Sequence, residues 1–254
     1  MSVFNKYSKY YNLLYKDKNY ISETDYIVEL IRKNTLNSKT ILELGCGTGS
    51  HALCFAEKGF SVNGVDLSEG MVKSANEKKM ESQYSEKLNF ELGDVRTYTT
   101  NKKFDAIISL FHVISYQVTN NDLKNAFMTA KKNLSPDGVF IFDCWYGPGV
   151  LSDPPTVRVK RLEDDEIHVS RFAEPVVHSM ENIVDVNYHL IIRDKANHSY
   201  EELNETHRMR YLFYPEVEMM LSQVGMKIVS FTKWMEFDQP SLNTWYACFC
   251  AKHI

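Results

Sequence analysis

The sequence predicts an α/β fold in which a mostly parallel sheet carries helices on both faces. Short apolar runs alternate with helical segments over residues 35–145, and this alternation is typical of parallel strands joined by helical crossovers. A glycine-rich turn, Gly45 to Gly49, lies between the first of these strands and a helix. Two later strands end in an acidic residue, at Asp66 and Asp94. Together these observations indicate an α/β domain that binds a ligand at one edge of its sheet.

The glycine-rich turn follows a buried strand that begins at Ile41 and reads Ile-Leu-Glu-Leu. Glycines carry no Cβ, so they let the backbone turn sharply and let a ligand approach it closely. A helix is predicted from Ser50 to Lys58. A ligand above the turn would meet the free N–H groups and the positive end of that helix.

The second and third strands supply acceptors for a nucleoside. Asp66 lies about 20 residues beyond the glycines, where a carboxylate accepts two hydrogen bonds from a ribose diol. The third strand ends in Gly93-Asp94. Asp94 can accept a hydrogen bond from an adenine amino group, and the backbone N–H of Val95 can reach a ring nitrogen.

The fourth and fifth strands are predicted at Phe104–Leu110 and Val139–Asp143. Ligand crevices of parallel sheets open at the carboxyl ends of the strands, so side chains beyond these ends should face a substrate. Trp145 and Tyr146 follow the fifth strand and are predicted to form one wall of the pocket. The polar residues that follow the fourth strand are His112, Ser115 and Tyr116.

From Pro154 onward the pattern changes to alternating strands separated by polar turns. We expect an antiparallel sheet inserted after the fifth strand, which would cover the crevice as a cap. Its last strand could return His207, Arg208 or Tyr211 to the pocket, and an arginine there would suit a phosphate or a carboxylate. The predicted cap strands are Val157–Leu162, Glu166–Phe172, Ile183–Arg193 and His207–Phe213.

A helix from Pro215 to Val224 and two final strands, Lys227–Phe237 and Asn243–Lys252, return the chain to the sheet. The sequence therefore predicts three parts. They are an N-terminal lid with the ligand-binding core at residues 1–150, the antiparallel cap at 151–213, and the C-terminal part of the core at 214–254.

Composition and charge bear on the partners and the cellular location of the protein. A net charge of −4, without a basic run longer than two residues, argues against a nucleic-acid or membrane-surface partner. Five cysteines without a C-x-x-C pair predict free thiols and a cytoplasmic location. We expect no signal peptide and no membrane span, because the N-terminus has no apolar core and apolar runs are short. The Asp164, Asp165 and His168 group is poorly spaced for a metal, so none is predicted.

Five ordered motifs resemble those of class I S-adenosylmethionine (SAM) methyltransferases. They are Glu43–Gly49, Val65–Ser68, Gly93–Val95, Phe104–Ser109 and Leu134–Val139. The resemblance implies a Rossmann-like seven-stranded, doubly wound sheet with an antiparallel last strand, and it implies SAM as cofactor. The glycine pattern also differs from the G-x-G-x-x-G fingerprint of nicotinamide-binding domains. The implied cofactor residues are Tyr7, Tyr11, Glu43, Gly45, Cys46, Gly47, Gly49, Asp66, Leu67, Met71, Asp94, Val95 and Leu110.

The tyrosine-rich N-terminus and the last cap strand resemble methyltransferases that dimethylate the amine of nucleotide-linked amino sugars. In that subfamily two lid tyrosines close over the cofactor, and Tyr7 and Tyr11 match them here. The resemblance implies methyl transfer to the amine or hydroxyl of a nucleotide-linked sugar. A carboxylate, an amino acid or a phenol as acceptor, a SAM-binding protein without catalysis, and homodimer formation stay open.

The last expectation concerns which residue removes the proton of the methyl acceptor. An amine needs only to lose a proton, whereas a hydroxyl needs a general base within hydrogen-bond reach. The candidates are His112, Tyr116 and His207. Where the amino-sugar enzymes often carry a histidine, this chain has Tyr116. The predicted substrate-binding residues are Trp145, Tyr146, Arg208 and Tyr211.

Overall fold

Buried apolar runs form the centre of the sheet in the computed structural model, which describes residues 13–254. Five parallel strands lie side by side in the order β3-β2-β1-β4-β5. Parallel strands need crossovers, and helices provide them here. The strands are β1 (Thr40–Leu44), β2 (Ser61–Asp66), β3 (Leu88–Leu92), β4 (Phe104–Ser109) and β5 (Leu134–Tyr146).

Four helices accompany these strands, and a side-chain cap precedes three of them. The Asn19 side chain accepts the N–H of Ser22 at 3.0 Å and caps the first helix, which begins at Tyr20. Ser68 caps the third helix by accepting the N–H of Met71 at 3.4 Å. The helices are α1 (Tyr20–Asn34), α2 (Ser50–Glu57), α3 (Glu69–Glu81) and α4 (Asn120–Asn133).

The C-terminal segments complete the predicted seven-stranded sheet. Helix α6 (Tyr214–Gln223) leads to β10 (Met226–Lys233) and β11 (Tyr246–His253). Strand β11 pairs antiparallel with both β5 and β10, so the core order is β3-β2-β1-β4-β5-β11-β10. This confirms the Rossmann-like α/β fold with an antiparallel last strand.

Residues 147–212 form the cap. The short helix α5 (Gly147–Ser152) leaves β5, and four antiparallel strands follow. The cap joins the core where the end of β5 pairs in parallel with the last cap strand, through Trp145 and Tyr211. The strands are β6 (Arg158–Glu163), β7 (Ile167–His178), β8 (Ile183–Asp194) and β9 (Tyr200–Leu212). The division of the chain into three parts stays a prediction.

Strand β5 separates the two largest apolar clusters. Phe140 and Phe142 belong to one cluster, whereas Val139 and Ile141 belong to the other. Successive side chains of a strand point to opposite faces, so β5 is buried on both sides. Its carboxyl end is therefore the first part of this strand that can face a ligand.

Candidate active site

A cavity of about 810 Å³ lies at the carboxyl ends of β1, β2, β4 and β5 and extends beneath the cap. Its volume lies within the range of about 300–1,000 Å³ that is usual for small-molecule sites. One end is formed by the glycine-rich loop, and the other by the cap and the ends of β5 and β11. Of the predicted cofactor residues, its lining contains Gly45, Cys46, Gly47, Asp66, Leu67, Met71, Asp94, Val95 and Leu110.

Asp66 holds the glycine-rich loop against the end of β2. Its carboxylate accepts the N–H of Gly47 at 2.9 Å through Oδ2 and the N–H of Ser68 at 2.9 Å through Oδ1. Burial raises the pKa of Asp66 above its ordinary value, although these backbone hydrogen bonds act in the opposite direction. A lone pair on each oxygen is still available to a ligand in the cavity.

The glycines of the loop serve two different purposes. Gly47 has φ +54° and no heavy atom within 4 Å of the place where a Cβ would lie, so it gives a ligand access to the backbone. Gly49 precedes α2, and a Cβ there would lie 2.8 Å from the ring of Phe90. Gly49 does not line the cavity, in contrast to its predicted cofactor contact, because it packs against β3.

Arg96 fixes Asp94 at the edge of the cavity. The Nε of Arg96 donates to Asp94 Oδ1 at 2.9 Å, and its Nη1 lies 3.2 Å from Asp122. The hydrogen bonds from Arg96 hold the pKa of Asp94 below its usual range. Asp94 is therefore an ionised acceptor next to Val95, as the predicted adenine contact requires. Sequence reasoning did not consider Arg96, which stands two positions after the acid.

Glu43, a predicted cofactor residue, does not line the cavity and lies one layer below it. Its side chain is buried, and its Oε1 lies 3.8 Å from Nδ1 of His51. His51 lines the cavity and donates from Nε2 to Glu23 at 2.7 Å, and Glu23 pairs with Lys18. The Oε2 of Glu43 has no hydrogen-bond partner among residues 13–254.

At the other end, His112 lies in the loop that follows β4, with its backbone at φ +64°. Its N–H lies 3.2 Å from both oxygens of Asp143, and its Nδ1 lies 2.6 Å from Asp143 Oδ2. The imidazole stacks on Tyr246, with 4.6 Å between the ring centroids and 16° between the ring planes. Sequence reasoning predicted His112 but missed Asp143, because the two residues are 31 positions apart and meet only in the folded sheet.

A row of hydrogen-bonded side chains joins the loop after β4 to the cap. The hydroxyl of Tyr116 lies 2.6 Å from Nδ1 of His207, and Nε2 of His207 lies 3.3 Å from Glu205. Burial raises the pKa of Tyr116 well above its ordinary value. Both predicted residues line the cavity, so the structure brings Tyr116 and His207 together. Ser115 is buried, and its Oγ accepts the N–H of Trp145 at 3.0 Å.

Of the four predicted substrate residues, Trp145 lines the cavity and three others do not. Tyr146 belongs to β5 rather than to a loop, so it points to the opposite face from Trp145 and packs on Phe231. Arg208 is exposed on the cap and pairs with Glu181 at 2.7 Å. Tyr211 is fully buried beyond the cavity.

The cap contributes two arginines that sequence reasoning did not single out. Arg158 of β6 and Arg171 of β7 line the cavity, together with Tyr188 of β8. The guanidinium of Arg171 lies 4.9 Å from the ring centroid of Tyr188. Alternation along these strands was visible in the sequence, but it did not show which face would cover the crevice.

The predicted lid tyrosines Tyr7 and Tyr11 lie outside the described residues. Two other tyrosines of the same stretch, Tyr15 and Tyr20, line the cavity. Tyr15 packs edge-on against Phe111, with ring centroids 5.0 Å apart. The chain that precedes α1 therefore contributes to the walls of this site.

Comparison with known proteins agrees with this geometry. Residues 41–138 match the family model described as a methyltransferase domain. Over 99% of both chains, the structure superposes with a TM-score of 0.81 on the crystal structure of an S-adenosylmethionine-dependent methyltransferase from Clostridium acetobutylicum, at 25% identity. This chain is a SAM-dependent methyltransferase.

Two curated relatives of the methyltransferase differ in what is known of their acceptors. The dTDP-3-amino-3,4,6-trideoxy-alpha-D-glucopyranose N,N-dimethyltransferase of Streptomyces venezuelae is 24% identical, over 86% of this chain and 89% of its own length. YqeM of Bacillus subtilis, a candidate methyltransferase, is 29% identical over 80% of each chain. The resemblance to the amino-sugar subfamily is confirmed, while the acceptor is a separate question.

The residues at the glycine-rich loop of the methyltransferase fit SAM. Gly47 leaves the space that a Cβ would fill, and the unpartnered oxygen of Glu43 lies in the layer below. The carboxylates of Asp66 and Asp94, which line the cavity, favour a cationic ligand. Asp66 would hold the ribose, and Asp94 with Val95 would hold the adenine. When bound, SAM supplies a methyl group activated by its sulfonium.

Residues 13–254 of the methyltransferase contain neither a cluster of His, Cys, Asp and Glu that could hold a metal nor a helix long and apolar enough to cross a membrane.

Glu43 gives the methyltransferase a testable pH dependence. Burial, with a contribution from the charge of Asp66, raises the pKa of Glu43 from 4.5 to about 8. The folded state thus binds this proton more tightly than the unfolded chain does. The resulting stability is fully present below pH 4.5 and is lost as the pH rises through about 8.

We expect Glu43→Gln, which mimics the protonated acid, to gain melting temperature relative to the natural protein as the pH rises from about 5 to about 9. Each 1 kcal/mol corresponds to about 2–4 °C for a chain of this size. Scanning calorimetry in matched buffers measures the difference. Glu57→Gln, at an exposed carboxylate, should show the same dependence of melting temperature on pH as the natural protein. A pH-independent difference for Glu43→Gln would contradict the assignment.

Proposed function

We propose that this enzyme transfers methyl groups from SAM to the amino group of a nucleotide-linked sugar. The observation that carries the proposal is the continuity of the cavity from the glycine-rich loop to the cap arginines Arg158 and Arg171. An acceptor that reaches both ends needs an anionic part near the cap and a nucleophile near the end of β4.

The two arginines suit a diphosphate. Guanidinium groups bind phosphate oxygens through paired N–H donors, and they stay charged at every physiological pH. Arg171 also donates from Nη1 to the hydroxyl of Tyr15 at 3.4 Å, so the cap and the segment before α1 meet at this point. Arg158 is exposed at the cavity wall, where an incoming anion can reach it.

Aromatic side chains surround the space between the arginines and the glycine-rich loop. Their flat apolar faces suit a nucleobase or the C–H face of a sugar, and their polar atoms can bind its hydroxyl groups. The indole of Trp145 packs edge-on against Trp245, with centroids 5.4 Å apart, so the two rings support each other along this wall. The aromatic lining includes Tyr15, Tyr20, Trp145, Tyr188, Trp245 and Tyr246.

The Streptomyces venezuelae relative supports the same acceptor class, because its name gives a dTDP-linked 3-amino sugar as substrate. The residues of this chain would act mainly by orientation. They would hold the acceptor nitrogen at contact distance from the transferable methyl group and exclude water beneath the cap. A cytoplasmic location and homodimer formation stay predictions.

The test is turnover with SAM and dTDP-linked amino sugars, followed by mass spectrometry for one or two added methyl groups. We expect Arg158→Gln and Arg171→Gln each to raise the KM for the nucleotide-linked sugar about tenfold or more, because each removes a charged hydrogen-bond donor. The affinity for SAM should be unchanged.

Arg161→Gln is the matched control, because Arg161 is an exposed arginine of the same strand β6 and does not line the cavity. The amino sugar without its nucleotide should be insensitive to all three substitutions. Turnover of the free sugar equal to that of its nucleotide-linked form, or an unchanged KM in both cavity variants, would contradict the proposed acceptor.

A further inference from the structure

Two polar clusters meet the acceptor end of the cavity, and they differ in their capacity to take a proton. In the chain of Tyr116, His207 and Glu205, both ring nitrogens of His207 have partners, at 2.6 Å and 3.3 Å. Burial raises the pKa of Tyr116 well above its ordinary value, so its hydroxyl stays protonated. This chain can position a substrate group, but it offers no basic lone pair.

His112 differs because Nδ1 of its ring lies against a carboxylate, whereas Nε2 does not contact a polar group of the described protein. Nδ1 lies 2.6 Å from Asp143 Oδ2, a short electrostatic contact that lacks aligned hydrogen-bond geometry. Nε2, on the far edge of the ring, has no protein partner among residues 13–254. His112 lines the cavity, and 15% of its side chain is exposed.

Asp143 lies in the centre of the sheet and is fully buried. A buried carboxylate is costly unless donors or positive charge surround it. His112 supplies both its backbone N–H, at 3.2 Å from each oxygen, and its Nδ1. The positive φ of His112 brings these two groups to the same carboxylate, and the stack on Tyr246 holds the ring in place.

We propose that His112 accepts the proton of the methyl acceptor through Nε2 and that Asp143 is its positioning residue. The negative charge of Asp143 beside Nδ1 favours the neutral tautomer that carries its proton on Nδ1, and the lone pair of Nε2 is then without a protein partner among residues 13–254. The second cluster, with Tyr116 and His207, orients the acceptor beside it. This assignment rests on the proposed function only in taking an amine as the acceptor.

The step balances without a further reactant. An alkylammonium has no lone pair, so it first gives one proton to Nε2 of His112. The nitrogen lone pair then forms the new N–C bond, while the electron pair of the breaking S–C bond passes to sulfur and leaves S-adenosylhomocysteine. His112, now an imidazolium stabilised by Asp143, releases its proton to solvent after the product leaves.

The kinetic test is His112→Gly, because glycine adopts the positive φ of this position without strain and leaves a hole the size of an imidazole. We expect kcat with a dTDP-linked amino sugar to fall about 100-fold or more, the usual contribution of a general base. Added imidazole should restore turnover with saturation. Affinity for S-adenosylhomocysteine should stay within about threefold, less than 1 kcal/mol in binding.

His198→Gly is the matched control, since His198 is an exposed histidine at φ +60° outside the cavity. It should leave kcat unchanged. A His112→Gly enzyme that keeps its rate, or that loses it without rescue by imidazole, would overturn the assignment while the natural enzyme's turnover still supports the proposed function.

A second measurement does not depend on the acceptor. Nitrogen-15 NMR of the S-adenosylhomocysteine complex should show His112 as the tautomer protonated at Nδ1, and Asp143→Asn should move that proton toward Nε2. A purely structural Asp143 would leave the tautomer unchanged, and a natural enzyme protonated at Nε2 would overturn the inference. If the natural enzyme methylates no nucleotide-linked sugar, the proposed function fails and this readout still decides the role of His112.

Discussion

Asp66→Ala is expected to weaken the binding of SAM and of S-adenosylhomocysteine about 100-fold or more. The substitution removes the acceptor expected for the ribose diol, and hydrogen bonds to a charged group contribute about 1.5–3 kcal/mol each. It also releases the N–H of Gly47, now held at 2.9 Å, so the glycine-rich loop loses one of its hydrogen bonds to β2. Calorimetric titration with S-adenosylhomocysteine measures the change directly.

Asp137→Ala is the control for this substitution, because Asp137 is an exposed carboxylate that does not line the cavity. Circular dichroism should show both variants folded at the temperature of the titration. A folded Asp66→Ala protein that binds S-adenosylhomocysteine within about threefold of the natural affinity would remove Asp66 from the cofactor site.

The cofactor half of the site was predictable because it is local. A strand, a glycine-rich turn and a helix follow one another within residues 40–57, and the acid at the end of the neighbouring strand has a fixed spacing from them. The parallel register between β1 and β2 then brings Asp66 next to Gly47 without any further information. Glu43 and Gly49 share the same motif, yet the structure places them behind the loop rather than in the lining.

The acceptor half was less predictable because it depends on contacts between distant residues. His112 and Asp143 are 31 positions apart and meet through the pairing of β4 with β5. The predicted end of β5 at Asp143 was three residues too early, and this error turned Tyr146 into a pocket residue. A strand that continues to Tyr146 assigns opposite faces to Trp145 and Tyr146, and only Trp145 lines the cavity.

The cap shows the same limit of sequence reasoning. Alternating polar residues identified its strands, but either face of an antiparallel sheet can carry the polar residues. His207 and Arg208 were both predicted to reach the pocket, but only one of two successive residues of a strand can face it, and His207 is the one that lines the cavity. Arg158 and Arg171 become visible as cavity residues only after the cap folds over the crevice.

Gly47→Arg is expected to abolish detectable SAM binding by filling the site rather than by unfolding the protein. No heavy atom lies within 4 Å of the place where its Cβ would be, so the new side chain can start into the cavity that Gly47 lines. There it occupies cofactor space and sets a positive charge against the positive charge of SAM. The backbone at φ +54° adds about 1–3 kcal/mol of strain for any residue with a side chain.

Gly59→Ala is the control for backbone strain alone. Gly59 has φ +100° and open space around its Cβ position, but it does not line the cavity, so a side chain there cannot block the cofactor. It should lower the melting temperature without affecting the affinity for S-adenosylhomocysteine. Gly47→Arg should lose that affinity by about 100-fold or more while unfolding at a temperature close to that of Gly59→Ala. Equal affinities in the two variants would mean that the cofactor does not approach the backbone at Gly47, and the glycine-rich loop would then have only a structural role.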